Sequence, residues 1–339
     1  MTTILQKQID LVQQDSHVYY VSFHRDWIIG PSIHGGILAA ILQHTTKRHF
    51  MTTLSAQDQP DILSMHIDFL RMCTHDPMVI TVTDLKTGQG TSTIQLHLTQ
   101  PGRNPNRPKI AATATVTNFD VSLGPSAPTD WKLQPQPKPS PDWKKLEANF
   151  PDDNWLPVIM DGEILPIMRR MTQLNPRGGF PIAGLCDMWS SFGSERIDST
   201  HLTLLTDLIA SMSDTILRTG GMLDAHAIGN ATEAWAGENP GIPLRLSNSL
   251  EQAQMGGMWN STLTLDIEFK QRLPKEGIEW AFSRVLTREL KSGRMDVEVT
   301  ICDQSMSPIC VARHMVIVLG AARMFDNHKQ NRKDGGSVL

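Results

Sequence analysis

The sequence predicts an α+β protein of two related halves, each an antiparallel sheet wrapped round a central helix. Three observations carry this expectation: a repeat at constant offset, an apolar helix ahead of each strand run, and half-polar alternation broken by hairpin turns. The repeat is the strongest. LSMHIDFL begins at Leu63 and LTLDIEFK at Leu263, an offset of 200. ATATVTNF from Ala112 faces ARHMVIVL from Ala312 at the same offset. Between these blocks, DLKTGQGTSTIQLHLTQ resembles RELKSGRMDVEVTICDQ, each reading as strand, Lys-small-Gly turn and alternating strand.

Taken along the chain, the first half occupies residues 1–120. Its helix starts at His34 as HGGILAAILQHTTKRHF and is apolar on every side for two turns, which calls for burial on every side. Residues 121–157 form a Pro/Trp-rich connector. The stretch from Asp120 to Pro157 holds eight prolines with Trp131, Trp143 and Trp155, a composition that disfavours helix and sheet. The tryptophans predict that it is docked on one of the halves. The second half spans 158–322. Its helix, STHLTLLTDLIASMSDTILR, starts at a Ser199/Thr200 cap, carries Leu204, Leu205, Leu208, Ile209 and Met212 at helical spacing, and stops at Gly220-Gly221. An irregular stretch from Met222 to Gly257 follows, too long for an ordinary loop, and reads as either a lid or an insertion. Residues 323–339 read as a disordered polar tail with a basic run at Lys329–Lys333. A helix followed by four antiparallel strands in each half is the hotdog arrangement.

Composition narrows the function classes. The 339 residues are 40% apolar and 19% charged, which suits a chain with a real interior. A net charge of −4 gives no reason to expect nucleic acid or an anionic membrane surface as partner. No apolar leader segment and no membrane-length run is present, and the four cysteines lack CxxC spacing. These features predict a cytoplasmic protein with free buried thiols, in which sequons at Asn230 and Asn260 carry no meaning. No metal spacing, Walker loop or dinucleotide fingerprint occurs, so no cofactor and no metal are expected.

VYYVSFHRDWIIGPSIHGGILAAIL resembles the opening of thioesterase-like proteins of the acyl-CoA thioesterase II type, fungal and bacterial, in which Asp-Trp-x-x-Gly precedes His-Gly-Gly and the central helix. DILSMHIDFLRMCTHDPMVITVTDLKTGQGTSTIQLHLTQ is similar to their next strands, and TLLTDLIASM and MWNSTLTLDIEFKQ to their second-half helix and strand. The resemblance runs from Val18 to Leu319 and implies a double hotdog fold. It also implies an aspartate in the second helix, a threonine and a glutamine that together hold and activate water. Asp207 falls at the aspartate position, among Leu205, Leu208 and Ile209, where a carboxylate needs a partner or a task. Thr262 or Thr264 supplies the hydroxyl. The glutamine slot aligns with Val316; a slip of two residues places His314 there instead.

The first half offers further candidates. His34-Gly35-Gly36 opens a helix whose free N–H groups suit a carbonyl or an oxyanion, and the glycines allow close approach of substrate or, equally, tight packing against a strand. His34 suits acid–base work near neutral pH. His66/Asp68 and Asp266/Glu268 alternate with apolar residues and read as a solvated outer face. The expected partner is a small-molecule acyl thioester or biosynthetic intermediate, its chain in an apolar slot for which seventeen methionines offer adaptable lining. Three functions stay open: hydrolysis of an acyl-CoA or carrier-bound thioester; dehydration, isomerisation or cyclisation of a polyketide or terpenoid intermediate; and silent binding. Two halves in one chain make a monomer feasible, while open sheet edges leave a homo-oligomer possible.

Overall fold

A computed structural model describes residues 5, 7, 9–29, 32–102, 107–249, 251–252 and 258–320; the expected polar tail lies outside them. The first half runs β1 (Ile9–Asp15), β2 (Val18–Phe23), a short ladder of β3 (Ile28–Ile29) and β4 (Ser32–Ile33), then helix α1 (Gly35–Thr52). Strands β5 (Asp61–Phe69), β6 (Met78–Lys86), β7 (Ser92–Thr99) and β8 (Ile110–Thr117) complete it. The connector contains α2 (Trp143–Glu147). The second half begins with β9 (Trp155–Gly162), β10 (Thr172–Pro176) and β11 (Leu185–Ser191). Helices α3 (Ser199–Leu205), α4 (Met212–Leu217) and α5 (Ala225–Glu238) follow, then β12 (Leu244–Asn248) and β13 (Met258–Phe269). Last come β14 (Ala281–Leu286), β15 (Leu290–Lys291), β16 (Arg294–Cys302) and β17 (Pro308–Gly320).

Except for the β3–β4 ladder, the described strands form one sheet ordered β1-β2-β6-β7-β8-β5-β13-β17-β16-β14-β11-β10-β9-β12, with β15 on β16. Outward from the β5–β13 seam, each half repeats one order, and the second half adds β9 and β12 at its edge. The seam is antiparallel and pairs His66 with Asp266, two positions 200 apart. A local twofold therefore passes between them. Their side chains meet there, His66 Nδ1 lying 2.6 Å from Asp266 Oδ1, on a half-exposed outer face where an ion pair is worth at most about 1 kcal/mol.

The duplication extends to fine register. Met65 faces Ala114 in the first half and Leu265 faces His314 in the second. Each strand carries a bulge at the equivalent leucine, between Ile62 and Ser64 and between Thr262 and Thr264. A bulge re-aims the residues beyond it, so Thr262 and Thr264 point to opposite faces.

Helix α1 is enclosed as its sequence demands: Ile37 to Leu42 are all buried, and the hydroxyls of buried Thr45 and Thr46 donate back to Ile41 O and Leu42 O. It packs antiparallel to α3. Gln43 and Lys47 donate to Ser199 Oγ at one end, and His34 lies beside Asp207 at the other.

The second helix departs from expectation. It is not continuous from Ser199 to Gly220 but breaks over residues 206–211, between α3 and α4. The break has a tertiary cause. The Thr206 carbonyl, which would continue the ladder, accepts a hydrogen bond from His314 Nε2 at 2.9 Å. Ser211 then caps a new helix. The stretch from Met222 onward is also more regular than expected, since it forms α5 and then β12, which pairs in parallel with β9.

The connector is docked. Trp143 stacks edge-on against Trp189 at 5.0 Å, and Trp155 Nε1 donates to Pro139 O at 2.7 Å. Beneath it Arg284 holds Asp187 through two 2.7 Å bonds and reaches Pro135 O. β9 starts within the span read as connector because Trp155 is fully buried in this outer cluster. All four cysteines are free and buried. Among the described residues no helix is long and apolar enough to cross a membrane.

Candidate active site

The site forms where the N-terminus of α1 meets the break after α3. His34 caps α1: its backbone is extended and its Nδ1 accepts from Gly36 N–H at 3.2 Å. That bond leaves Nε2 facing Asp207 Oδ2 at 3.5 Å. Asp207 sits in the turn beyond α3, not within a helix, and its other oxygen, Oδ1, lies 3.7 Å from His314 Nδ1. His314 reaches this point from β17, one face of which also carries Val316; both are buried. The result is one carboxylate between two imidazoles drawn from three distant segments. Burial pushes the pKa of both His34 and His314 below the ordinary histidine value, against the pull of Asp207.

These contacts select tautomers. With Nδ1 accepting from Gly36, a neutral His34 carries its proton on Nε2, toward Asp207. With Nε2 donating to Thr206 O, a neutral His314 presents a bare Nδ1 to Asp207. One imidazole can donate to the carboxylate, and the other can receive from it once it is protonated.

The glycines serve a purpose different from leaving room for substrate. A Cβ on Gly35 would fall 2.8 Å from Asp207 Oδ2, and one on Gly36 would fall 2.9 Å from Leu204 O. The closest approach at both positions comes from the second half of the chain, and the ring of Phe69 at the end of β5 lies 3.7 Å from the Gly35 position. The Gly36 N–H is taken by His34, so the first-turn amides left without an acceptor among the described residues are those of Gly35 and Ile37. Of the two threonines, Thr262 pairs across with buried Val316 and so faces inward. Thr264 pairs with exposed Met315 and so faces outward. The outward placement removes Thr264 from the cleft, and the hydroxyl of Thr262 makes no hydrogen bond to Asp207 among the described residues.

A cleft of about 780 Å³, measured to its open mouth, runs from His34 and Asp207 into the second half. Met160, Met168, Met188, Phe180, Leu208 and Ile228 make its walls largely apolar. Helix α5 closes one side through Ala225 and Ile228, which gives the stretch that follows Met222 a structural part in the cleft. Gln173, Asn175 and Asn248 also line it. Sequence reasoning missed these three, because the alternation of β10 and of β12 is visible only once the position of each strand in the sheet is known.

A second titratable cluster lies elsewhere. His17 and His49 place Nε2 at 3.1 and 2.9 Å from the two oxygens of Asp84, and their Nδ1 atoms meet Ser16 Oγ and Tyr19 OH. These three are the residues whose donor set could hold a metal ion among those described. Every ring nitrogen and both carboxylate oxygens are already engaged, so the cluster fastens the end of α1 to β2 and β6.

Comparison with known proteins agrees with this architecture. Residues 23–118 match the model of the acyl-CoA thioesterase N-terminal domain, and residues 133–318 that of the C-terminal domain. The chain is 28% identical over 326 residues to the thioesterase-like protein TwmA of Talaromyces wortmannii, covering 92% of this chain and 90% of that one. Among solved structures it is similar to a hotdog-fold protein of unknown function from Alicyclobacillus acidocaldarius, with TM-score 0.63, 14% identity, and 94% and 99% coverage of the two chains. It is likewise similar to the acyl-CoA thioesterase II TesB2 of Mycobacterium marinum, with TM-score 0.57, 15% identity, and 93% and 98% coverage. With both domain models matched in order along one continuous duplicated sheet, the chain belongs to the acyl-CoA thioesterase family and has its double hotdog fold.

Proposed function

We propose that this protein hydrolyses an acyl thioester, carried by coenzyme A or a carrier protein, with Asp207 as general base. The observation that carries this reading is the Asp207 carboxylate held between His34 and His314 at the end of an apolar cleft. The acyl chain enters the cleft and brings its carbonyl beside Asp207. Asp207 takes a proton from water as the water oxygen adds to the carbonyl carbon. His314 Nδ1 can accept a hydrogen bond from the protonated carboxyl, and His34 Nε2–H supports the carboxylate before and after. The Gly35 and Ile37 amides are the first-turn donors left for the oxyanion. Collapse breaks the C–S bond, and the proton on Asp207 leaves with the thiol.

A second reading is favoured by one observation: the imidazole of His314 lies 3.7 Å from Asp207, at the slot of the family's glutamine if the alignment slips by two residues from Val316. Two imidazoles flanking a carboxylate suit removal and return of a proton, as in dehydration, isomerisation or cyclisation. A panel of acyl-CoAs assayed for thiol release, with Asp207→Asn and His34→Ala beside the wild type, separates the two. Hydrolysis requires wild-type thiol release, a loss of ~10²-fold or more in Asp207→Asn, and a smaller loss in His34→Ala. Acyl-group conversion without thiol release by the wild type, followed by mass spectrometry and severely reduced in both variants, selects the acid–base conversion. Undiminished turnover in Asp207→Asn refutes both.

A further inference from the structure

We infer that the acyl group accepted here bears an oxygen or nitrogen function along its chain, met by the carboxamides of Gln173 and Asn175; this rests on the acyl-thioester reading above. Both residues alternate on β10 with Leu174, which turns the other way into the outer tryptophan cluster. Both line the cleft. The corresponding edge strand of the first half, β1, turns Ile9, Leu11 and Gln13 to this face. Leu11 stands where the second half has Gln173, and Gln13, where it has Asn175, is engaged by Thr53 Oγ1. The fold itself therefore does not call for a carboxamide at 173 or for an unpaired one at 175.

Neither carboxamide is satisfied by the protein. Gln173 has one weak contact, from Nε2 to Met188 Sδ at 3.7 Å, and the side chain of Asn175 has no hydrogen bond among the described residues. Asn248, the third carboxamide of the wall, is different, because its Oδ1 accepts from Ile164 N–H at 2.8 Å. Opposite Gln173 in the β10–β11 register stands Ser190, whose hydroxyl is buried and unpartnered. Two carboxamides thus form a polar patch on the wall of an apolar cleft, with the Ser190 hydroxyl buried beside Gln173 behind that wall. A plain alkyl chain would displace their water and leave them unpaired, which is costly. A hydroxyl, keto or amide group at that depth would pair with them. A site built to hydrogen-bond its substrate rejects the analogue lacking the group more strongly than an apolar slot rejects a missing methylene.

The test uses octanoyl-CoA beside octanoyl-CoAs bearing one hydroxyl or keto group at successive chain positions, with the wild type, Gln173→Met and Gln173→Leu/Asn175→Leu. At least one oxygenated isomer should exceed octanoyl-CoA by about tenfold in kcat/KM on the wild type. The double variant should lose that preference and gain on octanoyl-CoA, and Gln173→Met, of nearly unchanged shape, should move the same way. Preference for octanoyl-CoA over every oxygenated isomer, or a preference unchanged in both variants, overturns the inference. If no thioester is cleaved, calorimetric binding of the same acyl groups as non-hydrolysable amides reads the same ratio. Polar preference there upholds the inference while hydrolysis fails; its absence sinks the inference by itself.

Discussion

Gly36→Ala probes the approach of the two halves on which the site depends. A Cβ at this position would lie 2.9 Å from Leu204 O, 3.0 Å from Asp207 Cβ and 3.1 Å from His34 Cε1. Comfortable contact requires about 3.5–4.0 Å, so the neighbours must retreat by roughly half an ångström or more. Leu204 O is poorly placed to yield, since it accepts the N–H groups of Asp207 and Leu208 at the end of α3. The strain therefore falls on the gap between α1 and the Asp207 turn. Overpacking of this kind costs about 1–3 kcal/mol, offset by up to ~1 kcal/mol from the better helix propensity of alanine. Urea unfolding should thus show a net loss of ~0–3 kcal/mol. Activity should suffer more than stability, because displacing a reacting group by ~1 Å costs ~10²-fold, expressed mainly in kcat. Gly229→Ala is the control: it lies within α5 with no atom within 4 Å of the added Cβ, and should gain ~0.5–1 kcal/mol. A Gly36→Ala enzyme with kcat within about threefold of wild type would refute the need for this close approach.

Two further outcomes follow from the same geometry. Burial holds the folded-state pKa of His314 below its unfolded value of 6.5. The unfolded chain therefore binds more protons between these values, so this contribution to stability is whole above pH 6.5 and is lost as pH falls toward the folded pKa. His314→Gln, whose amide can still donate to Thr206 O, should flatten that part of the stability–pH curve in urea titrations; an unchanged slope would show that His314 does not govern it. Asp187→Ala strands the buried Arg284 guanidinium beneath the connector and should cost ~3–5 kcal/mol, whereas Asp187→Leu/Arg284→Met should cost much less. Equal losses in chemical denaturation would mean that the bidentate pair is not the source of the effect.

The fold was legible because the two halves carry one pattern. An offset of 200 at two blocks specified which strands are equivalent, and α1 announced its burial by having no polar side across Ile37–Leu42. Tertiary capture hid the break after α3: the spacing of Leu204, Leu205, Leu208 and Ile209 continues a helix, and only the contact of His314 with Thr206 O, 108 residues away in sequence, interrupts it. The carboxamides of β10 were unreadable for a related reason. A five-residue strand ending in proline gives no alternation long enough to say which side is inward. The cluster of His17, His49 and Asp84 likewise has no sequence spacing to betray it, since a hairpin, a helix and a strand bring it together.

The candidate site lies where the duplication is broken, and this is a physical consequence of building one site from two similar halves. At the position equivalent to His314 the first half has Ala114, fully buried in the same core as α1. An imidazole there would enlarge the side chain under an unbroken 18-residue helix whose own hydrogen bonds leave no carbonyl to receive it. In the second half the same inward position meets a helix that has already ended, with Thr206 O free to accept and Asp207 turned back toward the seam. His314 and the break are therefore mutually dependent, since the histidine satisfies the carbonyl that the break exposes and the break makes the room that the histidine fills. The first half contributes the complementary features, an intact helix N-terminus with His34 as its cap and two glycines thin enough to admit the carboxylate. Each half holds what the other lacks. The asymmetry between two otherwise equivalent hotdogs is what brings one carboxylate and two imidazoles to a single point.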